Sequence, residues 1–366
     1  MTERADPAIR DDDPVARPDR SWLERLAAVV FDAPIGVPLT LAVVVSGLLF
    51  GIFPAPFAGR FVAIAQNPLS PPDPDDFLLA SPLSPLIASL AGLDTMFRYT
   101  AFSFVLLMAS ITVAVVSTDR WRSPTAARLV LVAWFASPVI NVELTWLGMY
   151  DPWTWTCACL LVVAPRWVVG AACLVLGFNQ FEQGAFILAA AIGVRWVDGR
   201  PRSSLGRADL AVWVASFATG RLLLSVYLGA AGASPSRLGY IGERGVGRYV
   251  EAAFSDLPTL LFSVYGVLWI PLVLMIRSSD QVQRWFFLLA HAILTIPVLV
   301  ALDSTRVYAL LTWPLVMGCV LWWSEQPSER VRRGVPLLLV SAIVVPRVVL
   351  WDSAIYVSSW GRLLDG

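Results

Sequence analysis

Carboxylates and arginines that could carry chemistry fall in or near alternate connections between the apolar segments of this chain. They are Glu143, Asp151, Glu182, Asp303, Arg221, Arg306 and Arg347. An arginine can bind phosphate through two parallel hydrogen bonds. A carboxylate can accept a proton from an attacking hydroxyl group. This combination suits an anionic substrate that is attached to a lipid.

Several of these residues also have a simpler structural explanation. Asp303 and Arg306 have the i, i+3 spacing that would let them neutralise each other on one helix face. Asp151 precedes Pro152, a pattern typical of a helix start, and Glu182 could satisfy a helix end. Polar groups at membrane depth usually face a bundle interior or a wet cavity. Their shared position on one side of the membrane therefore favours a polar cavity that opens outward.

The composition indicates the kind of protein that must position these side chains. The chain has 366 residues, of which 57% are hydrophobic and 15% charged, and its formal net charge is +0. The mean hydropathy is +0.68. Soluble domains average about 45–50% apolar and about 25% charged residues. The composition excludes a disordered or fibrous chain, a nucleic-acid-binding protein and a single soluble globule, and it indicates a multi-pass membrane protein.

Apolar runs of membrane-spanning length define the predicted architecture. A membrane helix needs roughly 20 mostly apolar residues, and about eleven runs qualify, within a range of roughly nine to thirteen. The predicted fold class is therefore all-α, a polytopic transmembrane helical bundle. The runs are Val37–Phe57, Phe97–Ser117, Thr125–Leu147, Trp153–Ala164, Trp167–Phe178, Phe181–Val194, Asp209–Ala231, Leu257–Ile276, Trp285–Leu302, Val307–Trp323 and Val335–Trp351. Those between residues 153 and 194 are short enough to be tilted, broken or re-entrant.

The arginines between these runs predict the orientation of the chain. They cluster in alternate connections, at Arg120 and Arg122, Arg166, Arg195 to Arg207, Arg277 and Arg284, and Arg330 to Arg333. The positive-inside rule places these connections in the cytoplasm, together with the N-terminal tail. With an odd number of spans, the chain is N-inside and C-outside. We expect a multi-pass protein of the cytoplasmic (inner) membrane.

The sequence divides into three regions. Residues 1–36 form a cytoplasmic tail, residues 37–351 the transmembrane domain and residues 352–366 an outer tail. The tail is acidic and proline-rich, and we expect it to be disordered up to about Arg20. Ser21 then caps a short amphipathic helix, Trp22–Phe31. In the first outer loop, the proline-interrupted segment Phe77–Leu93 is predicted to form a helix or hairpin along the outer interface.

Several of these features together resemble the C-type (GT-C) superfamily of integral membrane glycosyltransferases. They are the acidic residues of a long first outer loop (Asp73, Asp75, Asp76), the interfacial segment Ser81–Leu93, the short central spans, the outward Asp151-Pro152-Trp153, and Asp303-Ser-Thr-Arg306. The resemblance covers residues 37–351. It implies transfer of a sugar from a polyprenyl-phosphate carrier to an envelope glycan or glycolipid acceptor on the outer face. It also allows a divalent cation, although no metal ligands are assigned.

The resemblance implies roles for individual residues. Asp75 or Asp76 would be the general base, with Asp73 in reserve. Arg306, helped by Arg221 or Arg347, would bind the carrier phosphate and stabilise it as it leaves. The remaining outer carboxylates would bind sugar hydroxyls or the acceptor, and the first three of them alternatively a metal; they are Glu143, Asp151, Glu182 and Asp303.

Two other functions use the same residues differently. One is a flippase or transporter for a lipid-linked saccharide, in which the arginines guide the phosphate. The other is a non-catalytic membrane subunit of an envelope-assembly complex. A flippase needs a polar path that is reached from both sides. The inner halves of the predicted spans are nearly free of charge, with His291 the main exception, and this asymmetry favours the transferase.

Overall fold

A computed structural model describes residues 21–198, 206–235, 247, 250, 251, 254, 257–301, 304–351 and 354–358. Within this part of the chain the architecture is almost entirely helical. Four continuous helical segments are long and apolar enough to cross a membrane: Met96–Trp121, Arg207–Ala230, Leu257–Ser278 and Gln281–Leu299. Bent helix pairs raise the number to seven if each pair is one span. The chain therefore has the elements of a multi-pass membrane protein.

The α-helices are α1 Trp22–Phe31, α2 Gly36–Phe50, α3 Ala58–Gln66, α4 Leu83–Leu90, α5 Met96–Trp121, α6 Pro124–Ala136, α7 Pro138–Thr145, α8 Asp151–Val163, α9 Arg166–Asn179, α10 Phe181–Asp198, α11 Arg207–Ala230, α12 Leu257–Tyr265, α13 Trp269–Ser278, α14 Gln281–Thr295, α15 Ser304–Leu311, α16 Trp313–Ser324 and α17 Ser328–Val344. Short 3-10 helices cover Phe77–Ala80, Gly266–Leu268 and Ile296–Val300. Strands β1 Arg347–Trp351 and β2 Ala354–Ser358 pair antiparallel.

Each of the eleven predicted runs contains a helix or a helix pair, but several are interrupted. The run Thr125–Leu147 bends by 66° between α6 and α7, and Val307–Trp323 bends by 50° between α15 and α16. Both breaks precede a proline, Pro138 or Pro314. Proline has no N–H to continue the helical hydrogen bonds and clashes with the preceding turn. The bends therefore follow from the sequence.

The last predicted run, Val335–Trp351, is wrong in its final third. Helix α17 ends at Val344, and residues 347–351 form strand β1 instead. Pro346 interrupts helical hydrogen bonding, and the β-branched Val348 and Val349 favour a strand. The hairpin continues to Ser358, inside the predicted outer tail. The predicted disordered segment, residues 1–20, lies outside the described residues.

The short helix predicted after Ser21 is confirmed with the expected bounds. Glu24 N donates to Ser21 Oγ (3.3 Å), while Ser21 N donates to Glu24 Oε2 (2.8 Å). This reciprocal capping box satisfies two main-chain donors at the helix start. The chain then turns by 115° between α1 and α2.

Helices α5, α8 and α10 end on the same side of the bundle. Arg122, directly after α5, donates from Nη2 to the Val162 carbonyl at the end of α8 (3.0 Å). Arg195, in the last turn of α10, donates from Nε to the neighbouring Leu161 carbonyl (2.6 Å). We call this the basic end, defined by Arg122, Arg128 and Arg195. The opposite, carboxylate end is defined by Asp76, Glu143, Asp151 and Arg306.

Two apolar clusters hold the carboxylate end in place. Under it, the large core that the helices share includes Trp134, Trp155 and Trp313, whose rings pack against one another. A smaller cluster joins α3, the Phe77–Ala80 helix, the start of α5 and the α7–α8 connection. Leu78 and Leu79 are fully buried in it. Helix α3, which was not predicted, and α4 thus fix the predicted first outer loop onto the bundle.

Candidate functional site

Arg306 lies at the centre of a buried polar cluster at the carboxylate end. Arg306 is in α15, and Asp151 is the first residue of α8. The Nη1 atom of Arg306 lies 3.5 Å from the Oδ2 atom of Asp151. Its Nη2 donates to the Tyr150 hydroxyl at 3.1 Å. The side chains of Arg306 and Asp151 are 8% and 2% exposed. Two distant parts of the chain therefore meet here through an ion pair.

Aromatic rings cover the guanidinium of Arg306. Its central carbon lies 5.1 Å from the centre of the Trp146 ring and 5.3 Å from that of Tyr150. Both aromatic residues belong to the connection between α7 and α8, which includes Gly148 with φ of 102°. A cation over an aromatic face is attracted by the ring's quadrupole. The connection between α7 and α8 thus both shields the guanidinium of Arg306 and fixes its position.

Glu143 adds a second carboxylate to this cluster. Glu143 lies in α7, and its Oε2 atom accepts a hydrogen bond from Trp134 Nε1 (2.7 Å). Its Oε1, like Oδ1 of Asp151, is buried with no hydrogen-bond partner among the described residues. Burying a carboxylate is costly unless its oxygens are paired. The two carboxylates can therefore accept further hydrogen bonds.

Glu143, Asp151 and Arg306 line one small cavity. It has room for about one water molecule. A buried water needs polar partners, which these three side chains can provide. The described residues contain no group of three or more His, Cys, Asp or Glu side chains that could hold a metal ion. The cavity can accept a water or hydroxyl donor at its carboxylates, and an anion can reach its arginine only if the cavity widens.

The aspartates of the first outer loop have different environments. Asp76 is buried: its Oδ1 accepts from Leu78 N (2.9 Å), and its Oδ2 accepts from Arg60 Nε (2.7 Å). Arg60 Nη2 also pairs with Asp76. Asp75 is exposed, and its Oδ1 accepts from Ser234 Oγ at 2.8 Å. Asp76 is therefore held by two partners on the loop and α3, whereas Asp75 faces solvent.

A row of aromatic rings connects these loop residues to Arg306. The Arg60 guanidinium lies over Phe57 at 5.5 Å and over Phe77 at 5.2 Å. Phe57 packs edge-on against Trp146 at 6.4 Å, and Trp146 covers Arg306. Because Phe57, Phe77 and Trp146 are each partly exposed, the row offers apolar faces between two charged clusters.

Arg347 lies elsewhere, at the break between α6 and α7. Its Nη1 donates to the Ser137 carbonyl (3.1 Å) and its Nη2 to the Phe135 carbonyl. Its guanidinium also lies 4.5 Å from the centre of the Phe50 ring. These contacts supply hydrogen bonds to the carbonyls where the helix is interrupted, so Arg347 holds the bend.

The other predicted residues are dispersed or not described. Arg221, in α11, lies over the Phe181 ring at 5.0 Å, and Glu182 is exposed in the first turn of α10. Asp73 accepts from Asp75 N at 3.1 Å within the loop. Asp303 lies outside the described residues.

Sequence reasoning missed Arg60 and the partners of the buried cluster, Tyr150 and Trp134. One signal was present: Arg60 is the single arginine between Arg25 and Arg98, and it precedes an acidic segment. An isolated cation near several carboxylates favours a pair. Nothing comparable marks Trp134, since tryptophan is common throughout this chain.

Comparison of the chain with protein-family models, with curated proteins and with solved structures gave no match. The resemblance to the GT-C superfamily, and the roles it implies, therefore stay predictions.

Proposed function

We propose that this protein is a membrane glycosyltransferase of the cytoplasmic membrane. It moves a sugar from a polyprenyl-phosphate carrier to an envelope glycan or glycolipid acceptor on the outer face. The observation that carries the proposal is the buried ion pair of Arg306 and Asp151, which shares a cavity with Glu143. An arginine beside two carboxylates can bind a phosphate and sugar hydroxyls at once.

The proposed topology has about eleven spans, with the N-terminus inside and the C-terminus outside. The arginines of the basic end support this orientation: Arg122, Arg128 and Arg195 gather there. The positive-inside rule makes this end cytoplasmic. The carboxylate end then faces outward, where the lipid-linked sugar is used.

In the proposed reaction, Asp75 accepts the proton of the acceptor hydroxyl. The hydroxyl oxygen forms a bond to the anomeric carbon of the sugar, and the bond from that carbon to the phosphate oxygen breaks. The carrier phosphate leaves with the bonding electrons, and Arg306 stabilises its charge. Asp75 suits the base because it is exposed, while Asp76 positions the loop through Arg60.

Binding of the donor requires a local movement. Because the Arg306 side chain is 8% exposed, the connection of residues 146–150 must move aside for a phosphate to reach it. Gly148 provides a backbone conformation that suits such a hinge. The phosphate then replaces Asp151 as a partner of Arg306, and the free carboxylates accept hydrogen bonds from the sugar.

The test uses purified full-length protein in vesicles with radiolabelled polyprenyl-phosphate hexoses and pentoses, and an envelope lipid extract as the acceptor. We expect one donor to be consumed, with polyprenyl phosphate released. The Arg306→Ala variant should transfer about 10²-fold to 10³-fold more slowly. Asp75→Asn should lose at least about 10²-fold.

The matched control is Arg277→Ala, which removes an exposed arginine outside the carboxylate end and should keep the wild-type rate. If the wild type consumes no donor, the proposed transferase activity is wrong. Movement of intact donor across the bilayer would identify a flippase instead.

A further inference from the structure

A second cavity lies at the basic end, enclosed by α1, α2, α6 and α17. Its volume is about 170 Å³, and its lining is apolar except for Arg128. Each of the four helices contributes a leucine to the lining: Leu26, Leu41, Leu131 and Leu339. An apolar cavity of about 150 Å³ in a protein stays dry and takes up apolar molecules. This groove therefore has the chemistry to hold hydrocarbon and the size for a short length of it.

The groove opens on the perimeter of the bundle. Leu41 lines it and is also 46% exposed, and its neighbours on α2, Val44 and Leu48, are exposed as well. Helix α2 thus forms an outer wall whose far side is apolar surface. In a bilayer such a surface contacts lipid, so an acyl chain can reach the groove from the side.

A positive charge lies where the groove meets the corner between α1 and α2. Arg128 Nη2 donates to the Ala33 carbonyl (2.7 Å), and Nη1 donates to the Val30 carbonyl. A guanidinium has five N–H groups, so donors remain after these two bonds. Among the described residues, no carboxylate forms an ion pair with Arg128. The apolar groove therefore ends at a cation without a charged partner.

We infer that this groove binds a segment of one acyl chain of an anionic phospholipid, with the lipid phosphate at Arg128. The apolar lining selects hydrocarbon, and the arginine selects a negative headgroup through charge-assisted hydrogen bonds. Arg128 is partly exposed beside the groove, next to the 115° turn between α1 and α2. The site is independent of the proposed glycosyl transfer, which uses the opposite end of the bundle.

The direct test is photo-crosslinking of the full-length protein in nanodiscs. The probe is phosphatidylglycerol with a diazirine in the middle of one acyl chain, and labelled residues are mapped by mass spectrometry. We expect enrichment at Leu26, Leu41 and Leu339 over the exposed, lipid-facing positions Leu222 and Val226. Equal labelling of the groove and of α11 would overturn the inference.

Variants separate the two parts of the site. Ala42→Phe, which fills the groove, should lower labelling at Leu339 by about tenfold, whereas Leu222→Phe on the exposed face of α11 should not. Arg128→Gln should keep labelling by the acyl chain but lose the preference for phosphatidylglycerol over phosphatidylcholine. Arg277→Gln is its matched control.

Each part has a result that contradicts it. Wild-type protein that labels equally with phosphatidylglycerol and phosphatidylcholine overturns the role of Arg128, whether or not the Arg128→Gln variant folds. Unchanged labelling in Ala42→Phe overturns the role of the groove. Stronger labelling by a polyprenyl-phosphate probe than by phosphatidylglycerol overturns the assignment to a phospholipid.

Discussion

At the basic end, arginines donate to main-chain carbonyls, and of the three that define it only Arg122 also has a described ion pair, with Asp198 at 3.4 Å. At the carboxylate end, Arg306 contacts side chains. Arg195 Nε bonds to the Leu161 carbonyl at 2.6 Å, and Arg306 bonds to Tyr150 and pairs with Asp151. The carbonyls at a helix end have no partner within the helix. An arginine on them completes the fold, and only its remaining N–H groups can meet a ligand, as we infer for Arg128. An arginine held by side chains can exchange a partner for a ligand.

Arg347 shows that a predicted role beside Arg306 does not decide which kind of contact an arginine makes. It was predicted to bind phosphate with Arg306, yet its bonds resemble those of the basic end, since both terminal nitrogens donate to carbonyls at the α6–α7 break. The comparison therefore assigns Arg347 to bundle stability. Its predicted role in phosphate binding stays untested.

The largest expected effect on stability is from Arg195→Ala. The change leaves the carbonyls of Leu161 and Ala164 without their donor, and each such loss costs about 1–3 kcal/mol. We expect the free energy of unfolding in detergent to fall by about 3 kcal/mol. Arg166→Ala, which removes a side chain 71% exposed, should change it by less than about 0.5 kcal/mol. Equal effects would break the comparison.

Arg347→Ala is expected to destabilise the protein by about 2 kcal/mol, because the Ser137 and Phe135 carbonyls lose their donor. Sugar transfer by the folded fraction should stay within about threefold of the wild type. Thermal denaturation and the vesicle assay measure the two quantities. Lost transfer with unchanged stability would place Arg347 with Arg306 instead.

Asp76→Asn should lower the free energy of unfolding by about 1–2 kcal/mol, since Arg60 loses its charged partner. Asp75→Asn is the matched change one residue away. Because Asp75 is exposed and bonded to Ser234, its effect on stability should stay below about 0.5 kcal/mol. Chemical denaturation compares them, and a larger loss in Asp75→Asn would reverse the roles of the two aspartates.

The smallest effect is expected from Asp32→Asn. Arg332 Nη1 donates to Asp32 Oδ1 at 2.9 Å, but both side chains are about half exposed. Exposed ion pairs contribute about 0–1 kcal/mol. The melting temperature should therefore change very little, and the change should be smaller still in high salt, which screens the pair. A loss as large as that of Arg195→Ala would show that burial does not separate the arginines.

Local patterns were enough to predict most of the helical segments, although not α3. Ser21 before an apolar run defined the start of α1, and the apolar runs located the helices of the bundle. The strand after Val344 was missed because Val348 and Val349 are as apolar as a membrane helix. Hydropathy alone does not separate a short strand from the last turns of a span.

The partners of individual arginines could not be predicted in the same way. The shared side of Glu143, Asp151 and Arg306 followed from the alternation of loops. Whether an arginine meets a carbonyl, as Arg347 does, or a carboxylate depends on helix breaks and packing between distant segments. Arg60 and Asp76, sixteen residues apart, illustrate the same limit, because the unpredicted α3 brings them together.

The central claim is that Arg306 binds the carrier phosphate, and the most direct test is the affinity of purified full-length protein for polyprenyl phosphate. We predict that Arg306→Ala weakens binding by about 10-fold to 100-fold, as expected for a charge-assisted contact of about 1.5–3 kcal/mol. Arg277→Ala should bind like the wild type. If Arg306→Ala folds and binds polyprenyl phosphate with unchanged affinity, the claim is contradicted.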